Sequence, residues 1–73
     1  MKEIIEVLNE VKPGIDYENE KNLITNEILT SFDIVMLISL LNNKFNINIT
    51  PMELIPENFE NVEAIEKLIN SLK

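Results

Sequence analysis

Thr30-Ser31-Phe32-Asp33-Ile34-Val35-Met36-Leu37-Ile38-Ser39-Leu40-Leu41-Asn42-Asn43-Lys44-Phe45 is the stretch on which the reading of this chain turns. Ile34, Val35, Met36, Leu37, Ile38, Leu40 and Leu41 place apolar side chains on nearly every face of one helix over residues 31–45. Such a helix is central to a core or covered by a partner. It is too short to cross a membrane, which takes about 20 apolar residues. Thr30 and Ser31 are both competent N-caps, and Asp33 in the first turn complements the positive end of the helix dipole.

Outward from this helix, the chain reads as further helices joined by polar segments. Residues 1–12 carry Ile4, Val7, Leu8 and Val11 at the i, i+3, i+4, i+7 spacing of an amphipathic helix, and Pro13-Gly14 stops it. Residues 13–30 read mostly as loop, a long connection for so small a domain. Loops of that length are functional or packed by their own side chains. Ile15, Leu23, Ile24, Ile28 and Leu29 are the candidates for that packing. Asn46-Ile47-Asn48-Ile49 alternates like a short extended segment without an obvious pairing partner. Thr50-Pro51-Met52-Glu53 fits a capping box with proline at the first helical position, predicting one or two helical turns ended by Pro56. Val62, Ile65, Leu68, Ile69 and Leu72 form one face of a closing helix over 61–73, with Asn61 as N-cap. The predicted fold is all-α: a four-helix bundle of three longer helices, a short third helix and a long first loop, in a single domain over residues 1–73.

Composition narrows the function. The chain has 73 residues, 45% of them hydrophobic, which suffices for a core. A domain of this size buries only about 60% of the surface its unfolded chain exposes, leaving little room for a deep cleft. Thirteen acids face six lysines, for a net charge of −7. That sign disfavours nucleic-acid phosphates and anionic membranes, and suits basic protein partners. Acids interrupt the apolar residues of Met1-Lys2-Glu3-Ile4-Ile5-Glu6, unlike a secretory signal, and a cytoplasmic location is expected. Histidine, cysteine and arginine are absent from the sequence. A serine without a neighbouring base is a weak nucleophile, so no enzymatic activity is expected. The acids lack calcium-loop or zinc-ligand spacing, so no metal site is expected. A serine that matters here is therefore one modified by another enzyme. Ser31 suits that role, because a helix N-terminus favours a phosphate.

Ser31-Phe32-Asp33-Ile34-Val35, opening the second of four predicted helices, resembles the modification site of acyl carrier proteins. Lys44-Phe45-Asn46-Ile47-Asn48-Ile49 resembles the Phe-Gly-Ile segment that ends the same helix in that family. Met52-Glu53-Leu54-Ile55-Pro56-Glu57-Asn58-Phe59 and Val62-Glu63-Ala64-Ile65 resemble its third helix and the start of its fourth. The look is nearest to stand-alone carriers of the D-alanyl and peptidyl type, and the resemblance covers nearly the whole chain.

The resemblance implies a 4′-phosphopantetheine arm moved from coenzyme A onto Ser31 Oγ by a phosphopantetheinyl transferase. The arm's thiol would hold an acyl or aminoacyl group as a thioester, which accounts for a chain with no cysteine of its own. Implied partners are that transferase, a loading ligase and a downstream synthase or transferase, met by a monomer. Phe32, Asp33, Met36 and Ile55 are candidates for partner contact, and a sheltered cargo would lie between the second and third helices. Fatty acyl, aminoacyl and polyketide loads all suit the pattern.

Four positions depart from the family. Thr30 stands where Asp usually precedes the serine. Asp33 is the only carboxylate of its helix, with Met36 and Leu41 where carriers often have Glu. Asn46 stands where many have Gly, at little cost because Asn tolerates a left-handed backbone. The competing reading is a non-catalytic helical interaction module, a carrier-fold relative without the arm, in which Ser31 is a plain cap. Acids such as Asp16, Glu18, Glu20, Glu60, Glu63 and Glu66 read most simply as solvated surface.

Overall fold

The computed structural model describes residues 2–73. It is all-helical: α1 (Lys2–Val11), α2 (Ser31–Phe45) and α3 (Val62–Leu72), with two 3-10 turns, Pro51–Glu53 and Pro56–Asn58, before α3. No strand occurs among the described residues, so the alternation at 46–49 is irregular chain.

The predicted short third helix is thus two separate 3-10 turns, and Pro56 begins the second of them. The physical reason is Pro56. Pro56 has no N–H to give to residue 52, and its ring excludes that carbonyl from an α-helical turn. Proline also pushes the preceding residue out of the helical region. Ile55 accordingly lies at φ −110°, ψ 144°. Thr50 anchors the first turn: Glu53 Oε1 accepts from Thr50 N–H at 2.7 Å and from its hydroxyl at 2.6 Å. Asn58 joins the two turns by donating its side-chain N–H to the Glu53 carbonyl at 2.8 Å.

The long helices are capped as their sequences suggest. At α2 the cap is Thr30 rather than Ser31. Thr30 Oγ1 accepts Asp33 N–H at 3.2 Å, and the Asp33 carboxylate accepts Thr30 N–H at 3.0 Å. Asn46 ends α2 in the left-handed conformation, φ 53° and ψ 51°. Asn42 Oδ1 then takes Ile49 N–H at 2.8 Å, turning the chain toward the 3-10 pair. Asn61 caps α3 by accepting Ala64 N–H at 2.8 Å. After α1, Gly14 takes φ 89°, a conformation in which a Cβ would be strained.

The core is where the apolar faces meet. α1 gives Ile4, Val7 and Leu8, α2 gives Leu37 and Leu41, and α3 gives Val62, Ile65, Leu68 and Ile69, all buried. Leu41, standing where carriers often have Glu, is fully buried. Ile49 and Phe59 enter the core from the segment between α2 and α3.

The long first loop is packed by its own side chains. Leu23 and Leu29 are buried, with Ile15, Ile24 and Ile28 packed against the core. Tyr17 joins them, although the sequence placed it in an acidic run with no sign of burial. Its hydroxyl donates to the Leu8 and Lys12 carbonyls at 3.3 and 2.5 Å, satisfying the C-terminal end of α1. Burial, and secondarily the Asp33 charge, raise its pKa, so the phenol keeps the proton it donates. Lys12 donates across to the Ile28 carbonyl at 2.8 Å. Tyr17→Phe is expected to cost about 1–2 kcal/mol, the net worth of a buried hydrogen bond and an orphaned carbonyl. A lowered urea midpoint at unchanged slope checks it.

Candidate functional site

Because Thr30 takes the capping role, Ser31 is left as the first residue of α2 with an exposed side chain. Ser31 Oγ makes no hydrogen bond among the described residues. The first N–H groups of any α-helix also lack intrahelical partners, so polarity at this end is positive. Asp33, in the same first turn, offsets this with a carboxylate already committed to Thr30 N–H.

Ser31 stands at the rim of an apolar groove of about 270 Å³. Ile34 and Val35 of α2 form one side, Leu54, Ile55 and Pro56 the other, and Ile24 and Phe59 complete the lining. Ser31 is the one hydroxyl in that lining. Pro56 holds Ile55 extended, which keeps residues 54–56 beside the groove out of a continuous helix. Its size falls just below the roughly 300 Å³ at which small-molecule pockets usually begin.

Around the groove the surface is apolar. Phe32 is 73% exposed and Met52 86%, and Val35, Met36, Leu54 and Ile55 are exposed to lesser degrees. Scattered single apolar residues on a surface are ordinary, but these six lie on the two elements that flank one groove. Residues 22–43 and 45–66, which build these rims, contain no lysine, while Glu27, Asp33, Glu53 and Glu57 lie among them. Of the predicted contact residues, Phe32, Met36 and Ile55 are therefore exposed. Asp33 is half-buried and engaged in the cap.

Glu60 departs from its sequence reading as free surface. Its carboxylate accepts Ile24 N–H and Thr25 N–H, each at 3.0 Å, and the Thr25 hydroxyl. Its carbonyl accepts Leu23 N–H at 2.8 Å. The residue precedes an obvious N-cap, Asn61, and nothing local signals partners that lie 35 and 36 positions away.

The hydrogen bonds from the Thr25 hydroxyl and then from Thr25 N–H hold the Glu60 carboxyl below the ordinary 4.5; burial opposes them, and the Ile24 N–H adds the smallest lowering contribution. Glu53 is lowered in the same way, first by the Thr50 hydroxyl and then by Thr50 N–H. A depressed native pKa contributes stability that is present above the unfolded value and lost as pH falls through the native one. Stability is therefore expected to decline on acidification below 4.5. In Glu60→Gln that decline is shallower, as urea midpoints measured from neutrality downward would show.

A second hollow, of about 570 Å³, lies between α1, the first loop and the start of α3. It is larger, but shares no lining residue with the groove at Ser31. Lys2, Lys21, Glu6, Glu18 and Glu63 line it around Ile5, Tyr17 and Val62. It presents mixed charge around two lysine amines and no hydroxyl other than the engaged tyrosine's, whereas the smaller groove carries the free serine hydroxyl. Among the described residues no helix is long and apolar enough to cross a membrane. Comparison of the chain with family models, with curated proteins and with solved structures finds no match.

Proposed function

We propose that this chain is a carrier protein, holding an acyl or aminoacyl group as a thioester on a 4′-phosphopantetheine arm attached to Ser31 Oγ. The observation that carries this reading is an unengaged, exposed serine hydroxyl at the start of α2, on the rim of an apolar groove. The arm supplies the thiol that this sequence lacks. The chain's own residues do the rest. Thr30 and Asp33 hold the end of α2 so that Ser31 faces outward. Ile34, Val35, Ile55 and Phe59 offer apolar cover to the load. Phe32, Met36 and Ile55 give partner enzymes an apolar surface, and the surrounding acids favour partners with basic rims. The two 3-10 turns occupy the place in chain order that the short third helix has in the carrier family. The partners are a phosphopantetheinyl transferase, a loading ligase and a downstream synthase or transferase. The protein works as a cytoplasmic monomer and catalyses nothing itself.

The test is intact mass after incubation with a promiscuous transferase and coenzyme A. One added phosphopantetheinyl group on Ser31 supports the reading. Unmodified protein with several transferases overturns it.

A second reading, an interaction module without an arm, is favoured by the apolar surface extending to Met52, 86% exposed and outside the groove lining. It requires partner capture that survives Ser31→Ala and is lost when Met36 is made charged. Leu41, being buried, is no site for that charge.

A further inference from the structure

Residues 22–29 contain no α-helix, yet through Ile24 they supply a wall of the groove beside Ser31. Two buried side chains pin this segment, Leu23 near its start and Leu29 at its end. Between these pins, Ile24 and Ile28 are half-buried and residues 25–27 are exposed. Internally the Leu23 carbonyl accepts both Ile28 and Leu29 N–H at 3.0 Å, closing the segment into a small loop. Outwardly, Lys12 holds the Ile28 carbonyl. The groove side is held by Glu60 through Leu23 N–H, Ile24 N–H, Thr25 N–H and the Thr25 hydroxyl. Phe59, the residue preceding Glu60, is itself buried and lines the same groove. One side chain therefore ties the Ile24 wall to the Phe59 floor.

We propose that Glu60 is a positioning residue that sets the width of the groove, and with it the length of apolar chain the groove admits. The identity of the natural chain as an arm-borne acyl group rests on the carrier reading above, but the width does not. Removing the carboxylate frees Ile24 and Thr25 to swing on the Leu23 and Leu29 pins without disturbing the helices. A groove so loosened buries further methylenes of an apolar guest. Each methylene newly buried is worth about fourfold in affinity, the equivalent of about 0.8 kcal/mol.

The experiment uses the unmodified full chain as wild type, Glu60→Ala, Glu60→Gln and Glu60→Asp. Each is titrated with 1-hexanol, 1-octanol and 1-decanol, following the Ile24 and Ile55 methyl resonances. In the wild type, affinity is expected to level off along the series. In Glu60→Ala it continues to rise, about fourfold for each further methylene buried. Glu60→Gln retains the wild-type limit, because its amide oxygen still accepts Ile24 and Thr25 N–H. Amide exchange serves as the companion measurement. Ile24 and Thr25 exchange at least about tenfold faster in Glu60→Ala, an opening free energy lowered locally, while Leu8 and Ile65 are unchanged. If Leu8 and Ile65 also accelerate, Glu60→Ala has lost its fold globally and Glu60→Asp, whose shorter side chain draws the carboxylate back from both N–H groups, decides in its place with the same expected rise.

The same length dependence in wild type and unlatched variant overturns the proposal. So does unchanged exchange at Ile24 and Thr25, or an absence of alcohol binding in every variant. No alcohol requires the arm, so failure here is separate from failure of the carrier reading, which shows in the intact mass.

Discussion

Co-expressed with a promiscuous phosphopantetheinyl transferase, the wild-type chain is expected to gain one phosphopantetheinyl mass, and Ser31→Ala none. The variant should lose the modification completely and its stability hardly at all. The reason lies in which residue caps α2. Had Ser31 been the cap, its removal would cost about 1 kcal/mol and confound the result. The capping box is instead Thr30 with Asp33, and Ser31 is the exposed first helical residue. An exposed position away from such features changes stability by less than about 0.5 kcal/mol. Intact mass and a urea melt of the two proteins, side by side, settle both halves. A Ser31→Ala chain that still takes up the group would place the attachment elsewhere. A chain that unfolds would make Ser31 a structural residue.

Phe59→Ala should destabilise the chain far more than Ser31→Ala or Tyr17→Phe, and Phe32→Ala should be close to neutral. Phe59 is 2% exposed and Phe32 73%. Truncating a buried phenylalanine costs about 3–5 kcal/mol, the lost transfer free energy together with the cavity left behind. At roughly 0.05–0.15 kcal/mol per residue, a chain of this length has only about 4–11 kcal/mol of stability in total. Phe59→Ala thus removes a large share of it and, at about 4–8 °C per kcal/mol for a domain of this size, lowers the melting temperature by tens of degrees. It also opens the floor of the groove, so in any folded fraction the Ile24 and Ile55 resonances should shift. Phe32→Ala leaves the melting temperature within a few degrees and is read in partner binding instead. Thermal melts of both variants check the contrast. Equal losses would mean that Phe32 is covered in solution.

The local signals in the sequence translated directly into structure. Period-3.6 apolar spacing in residues 1–12 and 61–73, the stop at Pro13-Gly14, the Asn61 cap and the left-handed Asn46 all depend on neighbours within one or two turns. Local steric and hydrogen-bonding preferences therefore specify them. The same locality put Ser31 at the head of an apolar helix. It did not choose between Thr30 and Ser31 as cap, since both hydroxyls suit the position and the choice depends on how the incoming loop is held.

Tertiary structure alone decided which face of α2 is bare. A helix apolar all round carries no periodic mark of its exposed side. Contact with α1 and the core buried Leu37 and Leu41 and left Phe32, Val35 and Met36 in water. The groove is likewise non-local, assembled from residues 24, 31, 34, 35, 54–56 and 59. So are the engagement of Tyr17 with the end of α1 and of Glu60 with the first loop. A carboxylate and its donors 35 positions apart leave no pattern along the chain, and only the folded backbone brings them within hydrogen-bond reach.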